Sequence, residues 1–193
     1  MILADSRILE EKKKGTIVIK PFHKACLGSN SYDVHLGEWI AEYEKPEDGI
    51  FDAKKPLKLR YIKIPKDGFV FMPGRFYLGL TYEYTETHAP YVPFLEGKSS
   101  TGRLSIKIHD TAGKGDVGFC NTWTLEITVT EPVRVYYRMP IGQLIYHLVE
   151  GEVLNPYGTK QGQKYNAESY KKRNRRPVES RMWKNYGKDP VWK

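Results

Sequence analysis

The sequence predicts a mainly β protein, an antiparallel barrel or distorted jelly roll with few short helices. Three observations point there. Short runs of alternating apolar and polar residues recur, each about the length of a strand. The runs are rich in β-branched and aromatic side chains, and aromatics reach 13 % of the 193 residues. Proline and glycine punctuate the gaps, so short turns join consecutive strands, which favours antiparallel over parallel pairing.

The elements follow in order along the chain. Asp5 is placed to cap a helix running to about Lys14, with Ile8 and Leu9 as its apolar contacts and Gly15 as its stop. Thr16-Ile17-Val18-Ile19 reads as a strand ended by Pro21. From Ser31 to Gly37 the chain alternates, with Tyr32, Val34 and Leu36 on one face and Asp33 and His35 on the other. A hydrogen-bonded structural role for that polar pair is preferred over a catalytic one. Residues 44–58 are charged and broken by proline, hence a loop. Leu59 to Ile64, Gly68 to Met72 and Phe76 to Tyr84 are strands, joined by Pro65-Lys66-Asp67-Gly68 and Pro73-Gly74. Leu104 to Ile108, Thr122 to Thr130, Val133 to Tyr137 and Ile141 to Leu148 bring the total to about nine.

Charge divides the chain in two. The net charge is +8, and residues 160–193, with eleven basic and three acidic side chains, carry all of it. Residues 1–159 form the expected β-barrel domain. Residues 160–193 are a basic tail too poor in aliphatic side chains to pack a core. Two readings of the tail stay open: a solvated or nucleic-acid-contacting segment, or a flap that closes over an anionic ligand. No apolar run approaches the ~18 residues of a membrane span. The start lacks a secretory pattern, and Cys26 and Cys120 make neither a disulfide framework nor a metal cluster. A cytoplasmic setting is expected.

Chemistry concentrates between Phe94 and Ile127. Gly97-Lys98-Ser99-Ser100-Thr101-Gly102-Arg103 offers amides, hydroxyls and two cations to phosphate, although it lacks the spacing of a P-loop. His109 to Phe119 is a polar, glycine-broken loop carrying Thr111 and Asp116. Glu126 stands with Thr122, Thr124 and Thr128 on the polar face of a strand. There it is either a solvent-facing acid or a general base in a cleft. The H-x-E…P-C-x-x-C ligand set of zinc-dependent nucleobase deaminases is absent, as are C-x-x-C, H-E-x-x-H and G-x-S-x-G.

Taken together, Phe94 to Ser100, Gly102-Arg103-Leu104, His109, Thr111-Ala112-Gly113, Asp116, Gly118-Phe119 and Thr124-Leu125-Glu126 resemble the motifs of dCTP deaminases, members of the dUTPase-like superfamily. Met1-Ile2-Leu3, Ile17 to Phe22, Ser31 to Gly37, Ile141 to Leu144 and Pro156-Tyr157-Gly158 fit the same family in order. The resemblance implies a distorted β-barrel assembling as a homotrimer with active sites between subunits. It implies dCTP as substrate, with Mg²⁺ on the triphosphate, no zinc, and no nucleic acid or membrane as partner. Glu126 would be the general base for water attacking C4 of cytosine, with Ser99 and Arg103 fixing that water. Lys98, Ser100 and Arg103 would line the phosphate side. Asp116 would meet the deoxyribose or a water, Thr124 and Leu125 the base, and Gln143 the nucleotide. Tyr157 and Lys164 would belong to the flap, and His109 and Thr111 lie where members sense dTTP.

The implied reaction is deamination to dUTP. The alternative is a bifunctional enzyme that goes on to dUMP and pyrophosphate. Behind these stand a plain dUTPase and a noncatalytic binding module. This chain departs from the family pattern in three places. Gly115 stands where an aliphatic residue usually precedes the Asp. Cys120-Asn121-Thr122-Trp123 replaces a small, glycine-containing link. Glu168 takes the place of a frequent Gln in the flap.

Overall fold

The computed structural model describes residues 1–159, 164–165, 176–189 and 191. Helix α1 (Asp5–Lys14) leads into β1 (Ile17–Lys20), and a 3-10 turn at Lys24–Cys26 into β2 (Tyr32–His35). Then come β3 (Trp39–Tyr43), β4 (Leu59–Lys63), β5 (Phe69–Phe71), β6 (Tyr77–Leu80), β7 (Tyr84–Thr87) and β8 (Tyr91–Gly97). One turn of helix, α2 (Ser99–Gly102), precedes β9 (Ile106–Lys107), β10 (Cys120–Asn121), β11 (Thr124–Val129), β12 (Val133–Val135) and β13 (Pro140–Leu148).

The protein is mainly β, and its strands pair antiparallel, as expected. Among the described residues they form four sheets, ordered β1-β7-β10, β4-β3-β6-β11-β9, β12-β5 and β2-β13-β8. These ladders share a core without closing into one hydrogen-bonded barrel. One cluster takes Ile17 from β1, Val34 from β2, Ile40 from β3, Phe71 from β5, Leu125 and Ile127 from β11, and Ile141 and Leu144 from β13. Period-two burial explains the choice. In β11, Leu125, Ile127 and Val129 are buried while Thr124, Glu126 and Thr128 are half-buried.

The helix runs where expected, but Asp5 is its first residue rather than its cap. Ala4 occupies the cap position and makes no side-chain bond to the helix, while the Asp5 carboxylate accepts from the Ser6 N–H at 2.7 Å. Gly15 ends it with a left-handed φ of 79°, which a residue with a Cβ adopts at a penalty. Four strands are hidden in the linear pattern, β3, β7, β8 and the short β10. Trp39–Tyr43 is held between β4 and β6, so pairing on both sides overrides its mixed composition. Tyr91–Gly97 contains Pro93, which a strand tolerates at the end of its ladder, where β8 lies. The run Phe76 to Tyr84 breaks at Thr81 to Glu83, sending β6 and β7 into different sheets.

That break buries Glu83 completely. Its carboxylate accepts from the His35 N–H at 2.8 Å and meets His35 Nδ1 at 2.5 Å. Asp33, on the same face as His35, is ion-paired with Lys98. Both polar residues of β2 are therefore tied into structure. Removing the Glu83 carboxylate leaves the His35 amide without its acceptor inside the fold. Glu83→Ala is expected to destabilise by about 1–3 kcal/mol, read as a lower midpoint in urea unfolding.

Candidate active site

Glu126 is held by the middle of β11, opposite Leu78 of β6, with its N–H bonded to the Ile108 carbonyl at 2.9 Å. The loop leaving β9 turns back over it and brings the Asp110 amide to the side of its carboxylate. Burial raises the Glu126 pKa above its ordinary value, the nearby Asp110 charge adds to the rise, and the amide bond opposes it. The result is a carboxylate that is aimed, partly dry and easier to protonate than a surface glutamate.

A cavity of about 450 Å³ opens at this carboxylate. Leu78 and Leu80 form its floor from β6, Thr122, Trp123 and Thr124 one wall, and His109, Gly115 and Asp116 the loop side. The Phe119 ring lies between Trp123 at 5.0 Å and Tyr157 at 5.7 Å, tilted to both. Gly115 is required by that wall: a Cβ there would lie 2.5 Å from the Trp123 ring. Gly115 and Trp123, two of the three departures from the family pattern, therefore fit one another. Gly118, at φ 90°, approaches the Tyr157 backbone as closely, and the Tyr157 N–H donates to the Val117 carbonyl at 2.6 Å.

His109 contributes an imidazole with both ring nitrogens buried and unpartnered; the buried Thr122 Oγ1 is unpartnered too. Burial lowers the His109 pKa from 6.5 to about 4, against a smaller opposing pull from Asp110. The ring is therefore neutral at pH 7, with one donor and one acceptor to offer a ligand.

The expected site residues fall into two groups. Glu126, Thr124, Asp116, His109 and Tyr157 line the cavity. Leu125 is fully buried in the core, so only its backbone is available there. Asp116 is exposed at the rim, 3.4 Å from Lys114 Nζ. Lys98, Ser99, Ser100, Arg103, Thr111 and Gln143 do not line the cavity. Ser99, Ser100 and Arg103 are exposed at α2. Gln143 accepts from Ser31 Oγ at 3.3 Å and donates to the Gly97 carbonyl at 3.3 Å. Lys98, its salt bridge to Asp33, and Gln143 thus form a second polar group around β2, β8 and β13.

The C-terminal segment supplies residues that the motifs do not reach. Arg176, Val178, Glu179 and Ser180 line the cavity together with Tyr43 and Tyr165. The Arg176 guanidinium lies 4.3 Å from the Trp39 ring centre, and the Ser180 N–H donates to Tyr43 Oη at 2.9 Å. Tyr165 is fixed by its N–H to Tyr157 Oη at 3.1 Å and by Asn121 Nδ2, which donates to its carbonyl at 3.2 Å. Lys164 is not in the lining; its carbonyl accepts from Arg181. Glu168 and the basic run Lys171 to Arg175 lie outside the described residues. No linear pattern points to Arg176 or Glu179, because they reach the cavity only by tertiary docking on β3 and β4.

Three comparisons bear on this arrangement. Residues 2–149 match the family described as dCTP deaminase-like. A relative from Leptospira biflexa, named "dCTP deaminase, dUMP-forming", is 49 % identical over 154 residues, which span 79 % of this chain and 85 % of the relative. One of the same name from Clostridium beijerinckii is 45 % identical over 152 residues, spanning 79 % and 85 %. Among solved structures, a 2'-deoxycytidine 5'-triphosphate deaminase from Agrobacterium tumefaciens shares the fold. Its TM-score is 0.59 at 23 % identity, covering 76 % of this chain and 48 % of that one.

The histidine allows a pH test. Unfolded, His109 takes up a proton near pH 6.5; folded, only near pH 4. Between those values the unfolded chain binds more protons, so stability falls as pH is lowered from about 6.5 to about 4. His109→Asn should flatten that part of the profile, measured as urea midpoints at pH 7 and pH 5.

Proposed function

The chain belongs to the dCTP deaminase-like family, and we propose that it deaminates dCTP and then cleaves the triphosphate, releasing ammonia, pyrophosphate and dUMP. The likeness to relatives named for forming dUMP, over 79 % of the chain, carries this reading. From the sequence, dUTP is the expected product and dUMP the alternative, although the runs Phe94 to Ser100 and His109 to Gly113 look closer to the dUMP-forming members; the names of the relatives favour that alternative.

Glu126 is the general base. A water beside its carboxylate adds to C4 of the cytosine while Glu126 takes the proton. The resulting carboxylic acid then protonates the amine, which leaves as ammonia. The raised pKa supports both halves of this exchange, since the acid form must be reachable at working pH. The aromatic side of the cavity, Phe119, Trp123 and Tyr157, suits a pyrimidine ring and excludes competing water. In the second reaction water attacks the α-phosphorus and pyrophosphate leaves, with Asp116 at the rim to orient the sugar or that water.

Ser99, Arg103, Lys98, Ser100 and Gln143 are assigned to the same reaction from a second copy of the chain. Their separation from the cavity supports a homotrimer with sites between subunits, Arg103 and Ser99 completing the water site and the cations meeting phosphate. Magnesium would travel with the triphosphate and neutralise part of its charge. Asp116 fits it as one exposed carboxylate, since Mg²⁺ keeps several waters and needs few protein ligands. Zinc fits the cavity poorly, since among the described residues its lining holds one histidine and no cysteine. Tyr157 and Lys164 are assigned to a flap over the triphosphate. The unpartnered His109 nitrogens support a contact with ligand, and with Thr111 a role in inhibition by dTTP. Loss of that inhibition in His109→Ala would support this role, and unchanged inhibition would exclude it.

Incubation of the purified protein with dCTP and Mg²⁺ is expected to give dUMP and pyrophosphate. Accumulation of dUTP would limit it to deamination, and no ammonia from dCTP would reject the assignment. Glu126→Gln should still bind dCTP but lose about 10²–10⁴-fold in kcat. The acidic limb of the wild-type rate profile should lie above the ordinary glutamate value near 4.5.

A further inference from the structure

A cluster of chemically distinct donors stands outside the cavity. In the β7–β10 ladder Cys120 lies directly opposite Glu86. His88 follows Glu86 by two residues, and the extended chain brings both side chains to one face. The Cys120 sulfur, a Glu86 carboxylate oxygen and a His88 ring nitrogen lie within 4.8 Å of one another. His88 Nε2 is 3.3 Å from Glu86 Oε2. None of the three lines the cavity around Glu126, and the reaction described above uses none of them.

We propose that Glu86, His88 and Cys120 bind one divalent transition metal of the zinc class. Thiolate, imidazole and carboxylate together are the ligand set of such ions, whereas magnesium and calcium take oxygen. Three protein donors leave a fourth position to water. On binding, the thiol releases its proton to solvent and the sulfur takes the metal in its place. Donors in a tetrahedral shell lie about 3.3–3.8 Å apart, so small rotations close the site. Glu86 and His88 are free to make them, with side chains 26 % and 47 % exposed. Without metal, burial and then the Glu86 charge push the Cys120 thiol above its ordinary value, which makes it a poor nucleophile.

The position gives the metal a mechanical role. Phe119 and Asn121, which flank Cys120, both line the cavity. The Gly118 N–H donates to the Thr87 carbonyl at 2.7 Å, and the Thr87 N–H to the Phe119 carbonyl at 3.2 Å. A metal across β7 and β10 fastens this ladder from behind and stiffens the wall that presents Phe119.

The test uses the purified full chain and cobalt(II) alone, without nucleotide, so it is independent of the assigned reaction. One equivalent of Co²⁺ should produce a thiolate-to-metal charge-transfer band that Zn²⁺ removes and Mg²⁺ does not. Cys120→Ser should abolish the band, and Cys26→Ser should retain it in full. His88→Ala, an exposed change checked for folding by circular dichroism, should weaken binding by at least about tenfold, the scale on which even outer partners of a metal count. Absence of the band at stoichiometric Co²⁺ in the wild type, or its survival in Cys120→Ser, would overturn the site.

Discussion

The seating of Glu126 on β11, its N–H on the Ile108 carbonyl at 2.9 Å and its carboxylate beneath the loop at Asp110, is the constraint on which the site depends. A carboxylate taken partly out of water is unstable as an anion unless donors face it. Here the β11 ladder fixes the backbone, the returning loop supplies the amide, and burial supplies the perturbation. The same strand buries Leu125 and Ile127 at 0 % exposure, so the alternation that anchors β11 in the core also fixes the direction of Glu126. Core packing and the placement of the Glu126 carboxylate are one event, because adjacent side chains on a strand point to opposite faces and cannot change faces independently.

Around that carboxylate the cavity owes its shape to close approach. Gly115 passes against Trp123 where no side chain would fit, and Trp123 Nε1 donates to Thr85 Oγ1 at 3.0 Å. The indole is thereby fixed from behind by β7 and forms a rigid face toward the cavity. Phe119 and Tyr157 extend this face, and the Tyr157–Tyr165 contact leads it into the C-terminal segment. The lining includes residues whose buried polarity is unspent, the His109 ring and Thr122 Oγ1 among them. Buried polar atoms without partners are unfavourable in the empty fold and favourable once a ligand pairs them.

Charge and aromatic surface cooperate at the far end of the chain. The body of residues 1–159 is neutral and the tail carries the whole excess of +8. In the described part of that tail, Arg176 lies over Trp39 and Tyr61 while Tyr61 Oη donates to the Pro177 carbonyl at 3.2 Å. This docking brings a cation and the acid Glu179 to the cavity edge. The described part of the tail is thus part of the site's wall, and the tail sequence as a whole is a reservoir of positive charge.

Read along the chain, the sequence determined the secondary-structure class, the helix and its glycine stop, the buried faces of β2 and β11, and the family. These are local: alternation and turn chemistry act over a few residues, and the motif from Phe94 to Glu126 is contiguous. It also singled out Gly115 and the Cys120 to Trp123 link as unusual, without their reason. The tertiary structure alone decided that Gly115 makes room for Trp123 and that Cys120 faces Glu86 and His88. It also decided that Arg176 and Glu179 reach the cavity while Lys98, Ser99 and Arg103 stand apart from it. Each is a contact between segments distant in sequence, set by register and core packing, and no periodicity within one segment encodes which other segment it will meet.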